Sequence, residues 1–346
     1  MCENNKGDTI ETVSRSFENG VLSASAGHQV SGGIILEVIV TNNLTKKYGS
    51  LLALSGLNLK ISRGRCVGLL GPNGAGKSTT IKLICGLIRP TSGRVLVNGF
   101  EPSKDPKSAL VDVGSLVDVP VFYPNHTPLQ ILNYFGRLRG MENPELRKRV
   151  KECIDMVKLT EFSKTKVKKF SLGMVQRLAL AQAVLHDPSV LILDEPALGL
   201  DPRGIRQVRD FIKRQAREGK TVLFSSHMLY ETQEICDTVA LINRGKLLAY
   251  DRIENLEKIF NIQVVEVETV SPLSSQQIDK IRNIKWVKSV SNEGNGGHLL
   301  RINFNGDREK CAELHAELVR EIGAQVVSFR PSVGALEEVY LQLVKE

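Results

Sequence analysis

Hydrophobic positions along the chain change period several times, and the changes mark out its organisation. Residues 1–33 show no period: Ser, Gly, Asn and Glu prevail and large apolar side chains are few, so this segment is predicted to be disordered. From Ile34 short β-branched runs begin. IILEVIV, RCVGLL, RVLVNG, VLILDE and TVLFSSH are bounded by Gly, Asp or Ser and read as strands. Helical patterns separate them, which predicts an α/β domain with a largely parallel, doubly wound sheet. TVALIN and KLLAY, joined through Asn243, Arg244 and Gly245, read as a hairpin that closes the domain.

Between Thr127 and His186 only the helical period is present. Thr127, Pro128 and Gln130 spell a capping box with proline at the first helical position, and Asn143 with Pro144 repeats the cap-then-proline start. After that second start, Leu146, Val150, Cys153, Ile154 and Val157 fall on one face. A helical insert of about 127–186 thus interrupts an α/β domain predicted over 34–255. From 261 to 346 the order becomes strand IQVVEVE, helix SSQQIDKIRNI, strands WVKSV and LLRINF, helix DREKCAELHAELVREIG, strand QVVSF and a last helix LEEVYLQLV. That βαββαβ order predicts a small ferredoxin-like α+β domain, with Cys311, Leu314, Leu318, Val319 and Ile322 as one stripe of its second helix.

Composition narrows the class. At 346 residues the chain exceeds the size at which one core stops growing, and 42% hydrophobic with 24% charged residues is ordinary for globular protein. No run approaches the roughly 18 apolar residues of a membrane span, and the start lacks the apolar block of a signal peptide, so any membrane role is expected to pass through a partner. Cys2, Cys66, Cys85, Cys153, Cys236 and Cys311 form no C-x-x-C pair and read as reduced cytosolic thiols. The formal charge of +8 would suit nucleic acid or an anionic surface, but no basic stretch is interleaved with aromatics, and a solvated surface is expected.

The chemistry is concentrated in a few stretches. GPNGAGKST, Gly71 to Thr79, follows the strand-like CVGLL and opens a helical run, the context G-x-x-x-x-G-K-[ST] requires. Gly71, Pro72, Asn73, Gly74, Ala75 and Gly76 form a loop whose N–H groups can wrap phosphates where no Cβ intrudes. Lys77 supplies charge at the β and γ phosphates, Ser78 a hard oxygen for Mg²⁺, and Thr79 reaches the α phosphate. VLILDEP ends a strand in Asp194, placed to hold magnesium, and Glu195, placed to polarise the attacking water. His227 ends the next strand at the same sheet edge and is read as a γ-phosphate contact. SLGMVQRLALAQ begins a helix at Ser171 with no carboxylate in its first turn, a start that can receive an anion or simply be capped by Ser171 itself.

In this order and context, these motifs and the following ALGLD resemble the nucleotide-binding subunit of ATP-binding cassette (ABC) transporters over about Ile34–Tyr250. The resemblance implies a P-loop NTPase fold, ATP and Mg²⁺ as cofactors, and ATP hydrolysis. It also implies two chains, as a homodimer or paired cassettes, each offering Ser171 and Gly173 to the ATP held by the other. Tyr48 then aligns with the aromatic that stacks on adenine, and Asp201 with the aspartate that bridges the subunits. The family usually has glutamine in the stretch SLVDVPVFYP, as magnesium ligand, γ-phosphate sensor and hinge to the membrane subunit; some branches use an acid, and this chain offers Asp118, expected to contact metal weakly or through water. Residues from about 261, with the ending PSVGALEEVYLQLV, resemble the C-terminal domain of ABC-2 type ATPases. The resulting expectation is an ATPase on the cytoplasmic face of the membrane that drives a separate transmembrane permease, with export as the direction. The alternative is a soluble cassette acting on ribosomes or nucleic acid, and the absence of a second cassette or a long coiled coil weighs against it.

Overall fold

The computed structural model describes residues 37–260, 262–293 and 296–331, with Leu336, Val339, Tyr340, Leu343 and Val344 near the end. The segment expected to be disordered, residues 1–33, lies outside the described residues, as do Glu337, Glu338, Leu341 and Gln342 of the expected last helix. The chain divides into two compact units: one runs through Met228 and resumes over Ile235–Asp251, and the other holds Leu229–Glu234 and everything from Arg252. The sequence reading ended the first domain at 255, whereas the contacts divide the chain at Asp251 and Arg252.

In the first unit β1 (Glu37–Tyr48), β2 (Leu51–Ser62), β3 (Cys66–Leu70), α1 (Lys77–Ile84), β4 (Ser92–Val97), α2 (Pro106–Leu110) and β5 (Val113–Leu116) come first. Three helices follow: α3 (Pro128–Leu138), α4 (Asn143–Met156) and α5 (Leu172–Ala183). The unit then continues with β6 (Val190–Leu193), α6 (Pro202–Arg217) and β7 (Thr221–Ser226). The short α7 (Leu229–Gln233), which belongs to the second unit, precedes β8 (Thr238–Asn243) and β9 (Lys246–Arg252). Six strands form one sheet in the order β5-β6-β7-β3-β8-β9, and the pairs from β5 to β8 are parallel. β3 is buried along its whole length, as a strand covered on both faces must be.

The expected single sheet needs correction. The runs IILEVIV and RVLVNG do not join the parallel sheet; β1 and β4 pair with β2 in a separate antiparallel sheet of order β2-β1-β4. Its register comes from strict alternation in β2, where Leu57, Leu59 and Ile61 are buried and Asn58 and Lys60 are exposed. These residues join Val67, Leu69, Ile81 and Ile192 in one apolar core, so the antiparallel sheet, α1 and the parallel sheet share it. Removing a buried leucine such as Leu69 by truncation to alanine costs about 2–5 kcal/mol.

The insert contains helices and turns but no strand, as its period requires. Thr127 accepts from the Gln130 backbone N–H, and the Gln130 side chain accepts from the Thr127 N–H. The second start differs from expectation: Glu142, not Asn143, occupies the cap, and Asn143 already lies inside α4. Two prolines set these entries because proline at the first helical positions forfeits no backbone bond. Leu146, Val150, Cys153, Ile154 and Val157 are all buried. Cys66, Cys85, Cys153 and Cys236 are free and buried, and Cys311 is free and half-buried. Burial pushes the Cys66 and Cys85 thiols up to about 12, which keeps them protonated and inert.

The second unit contains α8 (Ile253–Phe260), β10 (Ile262–Thr269), α9 (Ser275–Arg282), β11 (Val287–Glu293), β12 (Leu299–Asn305), α10 (Arg308–Arg320) and β13 (Val326–Pro331). Its sheet runs β11-β12-β10-β13 with every neighbouring pair antiparallel. Leu314, Leu318 and Ile322 of the α10 stripe are buried with Val265, Ile302 and Phe304, but Val319 is 44% exposed and falls off the stripe.

Candidate active site

Three neighbouring strands of the parallel sheet, β6, β7 and β3, end at one edge, so the segments that follow them meet although they are distant in sequence. Gly76 makes the turn from β3 into α1 possible. Its φ is +106°, and a Cβ there would lie 2.8 Å from the Ala53 carbonyl oxygen and 2.7 Å from the Leu54 side chain. Only glycine meets both conditions. The β8–β9 turn supports the loop from below, with the Gly245 N–H donating to the Ala75 carbonyl at 2.9 Å.

Lys77 is 5% exposed, and its ammonium donates to the Gly71 carbonyl at 2.7 Å and the Pro72 carbonyl at 3.2 Å. It also lies 3.2 Å from Glu195 Oε1, while Glu195 Oε2 meets His227 Nδ1 at 2.9 Å. The structure thus brings Lys77, Glu195 and His227 into one chain of contacts. The Ser78 hydroxyl donates to Asp194 Oδ1 at 3.1 Å. A hydroxyl and a buried carboxylate at this separation form the hard-oxygen set that Mg²⁺ prefers, so these two residues fit that ion. Asn73 and Gly74 are exposed at the loop tip, Thr79 is half-buried on α1, and Tyr48 ends β1 at 46% exposure with the Lys46 ammonium 5.1 Å from its ring centre.

Two residues of this edge carry weight that sequence reasoning did not assign. Ser225 is fully buried, donates from its hydroxyl to Asp194 Oδ1 at 2.6 Å, and accepts the Glu195 N–H at 2.8 Å. Glu195 has a φ of +43°, a left-handed conformation that costs a non-glycine residue of order 1–3 kcal/mol. The Ser225 bond holds that conformation, which turns the carboxylate toward Lys77 and His227. Gln176 on α5 is also buried and donates from its side chain to the Pro196 carbonyl at 2.8 Å, fastening the helix to the segment after Glu195. Both roles come from neighbours across the sheet or the insert; Ser225 lies in TVLFSSH and Gln176 in SLGMVQRLALAQ, but neither stretch discloses these partners.

Asp118 follows β5 in the left-handed region with φ +60°. Its carboxylate is paired with the Lys82 ammonium at 2.8 Å. The acids and hydroxyl at the sheet edge are bonded to one another, and the sequence expectation of Asp118 as a metal contact meets a carboxylate already engaged by a cation.

Ser171 caps α5 by accepting the Met174 N–H at 3.3 Å, and it remains exposed. Asp201 caps α6 by accepting the Gly204 N–H at 2.8 Å and is exposed as well. Ser171, Gly173 and Asp201 line one open cavity of about 740 Å³, together with Lys158, Arg177 and Arg203. Asp201 is thereby brought beside the helix start 30 residues before it, while neither is bonded to the phosphate-loop edge by any described contact.

A glycine-rich loop opening a helix, a lysine bonded back to that loop, a hydroxyl–carboxylate pair and a glutamate directly after that carboxylate define a P-loop nucleoside triphosphatase. Comparison with known proteins narrows the class. The ABC transporter family profile matches residues 54–198. The bacitracin transport ATP-binding protein BcrA of Bacillus licheniformis is 42% identical over 316 residues, which cover 89% of this chain and 97% of that protein. The uncharacterized ABC transporter ATP-binding protein YdbJ of Bacillus subtilis (strain 168) is 35% identical over 88% of this chain and 94% of its own length. A solved dimeric ATP-binding cassette in a post-hydrolysis state, bound to ADP and phosphate, superposes with a TM-score of 0.56 at 27% identity, covering 62% of this chain and 98% of that one. The chain belongs to the ATP-binding proteins of ABC transporters, and ATP hydrolysis is its activity.

Proposed function

We propose that two copies of this chain, or this chain and a paired cassette, enclose two ATP molecules head to tail, and that each site is completed by Ser171 and Gly173 of the opposite copy. Within one chain, Gly71 to Gly76 wrap the phosphates with N–H groups, Lys77 neutralises the β and γ charges, and Thr79 meets the α phosphate. Tyr48 stacks on adenine. Ser78 and Asp194 would hold Mg²⁺, which would supply positive charge to the phosphates. Glu195 accepts a proton from the attacking water, His227 orients both the glutamate and the γ-phosphate, and Asp201 joins the two copies. The observation that carries this reading is the open cavity shared by Ser171, Gly173 and Asp201, an anion-receptive helix start with no phosphate loop of its own chain beside it.

The domain division that accompanies this reading is a cassette over 34–255, with its helical subdomain at about 127–186, and a C-terminal α+β domain over 261–346. A separate transmembrane permease is the partner. No described helix is long and apolar enough to cross a membrane. Val119, Val121, Tyr123, Tyr134 and Leu138 are exposed around the segment after β5 and on α3, with the Tyr123 and Tyr134 rings 6.5 Å apart, and they supply an apolar seat for such a partner. Such a seat supports a position on the cytoplasmic face of the membrane. The named transport of bacitracin by a 42% identical relative supports export of an amphiphilic compound. Action on ribosomes or nucleic acid finds no support in these relatives. Size measurement of Glu195→Gln with saturating MgATP tests the scheme: a stable dimer is expected, and a monomer overturns it.

A further inference from the structure

The family resemblance leads to glutamine where this chain has Asp118, and the substitution adds a negative charge close to a triphosphate site. β5 ends beside the acid strand, since the Leu116 carbonyl accepts the Asp194 N–H at 2.8 Å, and Asp118 stands two residues further on. An uncompensated carboxylate here would oppose both the phosphates and the existing pair Asp194 and Glu195. The structure supplies a cation. Lys82 lies four residues after Ser78 on α1, hence on the same face of that helix one turn along, and its ammonium reaches Asp118 Oδ1 at 2.8 Å. Lysine and aspartate together carry no net charge, as a glutamine would.

We propose that Lys82 is a positioning residue that holds Asp118 against the phosphate-loop helix, cancels its charge, and keeps it from the nucleotide and its metal. The proposal rests on the reading of Gly71–Thr79 as the triphosphate site. One further feature supports it. Asp118 sits at φ +60°, a conformation that aspartate tolerates better than most residues, and the carboxylate meets α1 from that turn. The pair is partly exposed, with the Lys82 side chain 30% and the Asp118 side chain 61% accessible, so its strength is modest and sensitive to salt.

The test is equilibrium binding of MgATP to the full chain by calorimetry, with four proteins: unaltered, Lys82→Met, Asp118→Asn, and both together. Lys82→Met strands the carboxylate, and the dissociation constant is expected to rise about three- to five-fold, the ordinary range for one partly exposed charge pair. Adding Asp118→Asn to Lys82→Met removes the stranded charge and is expected to restore binding to within about two-fold, a non-additivity that a lysine acting through fold stability alone would not give. The loss in Lys82→Met should also shrink at high salt, where charges are screened within about 3 Å at 1 M. If the double variant binds as weakly as Lys82→Met, Lys82 acts on the phosphates directly and the proposal is overturned. Lys77→Ala separates the two levels of the argument. Undiminished MgATP binding by that variant would refute the triphosphate site itself, whereas its loss alongside an unrescued double variant would refute the Lys82 assignment alone.

Discussion

The phosphate-loop edge and the start of α5 use the same resource, the unpaired N–H groups of a helix beginning, in opposite ways. At the edge, the chain closes the site on itself: Lys77 meets two carbonyls and Glu195, Ser78 and Ser225 both meet Asp194, and His227 meets Glu195. At α5, Ser171 satisfies one N–H, and the rest of the helix start opens into a cavity that also receives the exposed Asp201. The first region satisfies its polar groups within one chain. The second leaves a helix start open to solvent. The difference is the one that the proposed pairing of two copies requires, with a closed phosphate-loop edge on one copy facing an open helix start on the other.

Variants that strike one region and spare the other sharpen this contrast. The largest effect is expected from Lys77→Ala, which removes the buried cation of the complete region; ATP binding should be lost and turnover should fall by about 10³-fold or more. Glu195→Gln should lower turnover by about 10²- to 10⁴-fold while ATP still binds, separating reaction from recognition in steady-state and filter-binding assays. Ser171→Arg fills the receiving wall, so turnover should drop about 10²-fold while a single chain binds ATP as before. Equal loss of binding in that variant would erase the contrast.

Smaller effects probe the supports. Ser225→Ala leaves the Glu195 N–H without its acceptor and Asp194 with the Ser78 hydroxyl but not the shorter Ser225 bond; turnover should fall about 10- to 100-fold through misplacement of the carboxylates. Ser225→Thr, which keeps the hydroxyl, should retain most activity. Ser171→Ala removes a helix cap worth about 1 kcal/mol, which in thermal melts corresponds to about 2–4 °C.

How much of this was legible in the sequence varied with how local the cause was. Lys77, Ser78, Asp194 and Glu195 were legible because their chemistry lies in unbroken short runs at strand ends. The pairing of Ser78 with Asp194 follows from the adjacency of β3 and β6 around β7, and the motif context implied it. Ser225 was not legible as a support, because its two bonds reach from β7 to the end of β6, and a serine in SSH carries no mark of that register. Lys82 reads as any helix lysine until the turn after β5 brings Asp118 to it. The antiparallel sheet was signalled by the alternation of Leu57, Leu59 and Ile61, yet β1 and β4 also have the apolar content of buried parallel strands, and composition alone does not assign them to a sheet. At α4 the proline pattern fixed the start to within one residue but not the cap, since Glu142 and Asn143 both precede Pro144.

The central claim, that each ATP is hydrolysed between the phosphate loop of one copy and the Ser171 wall of another, can be read in one mixing experiment. Lys77→Ala and Ser171→Arg are each expected to be inactive alone. In a mixed pair one site would combine the intact phosphate loop of the second variant with the intact Ser171 of the first. An equimolar mixture that exchanges freely should then regain about a quarter of the unaltered turnover, half the pairs being mixed and each having one working site. A mixture that stays as inactive as its two components would contradict the account.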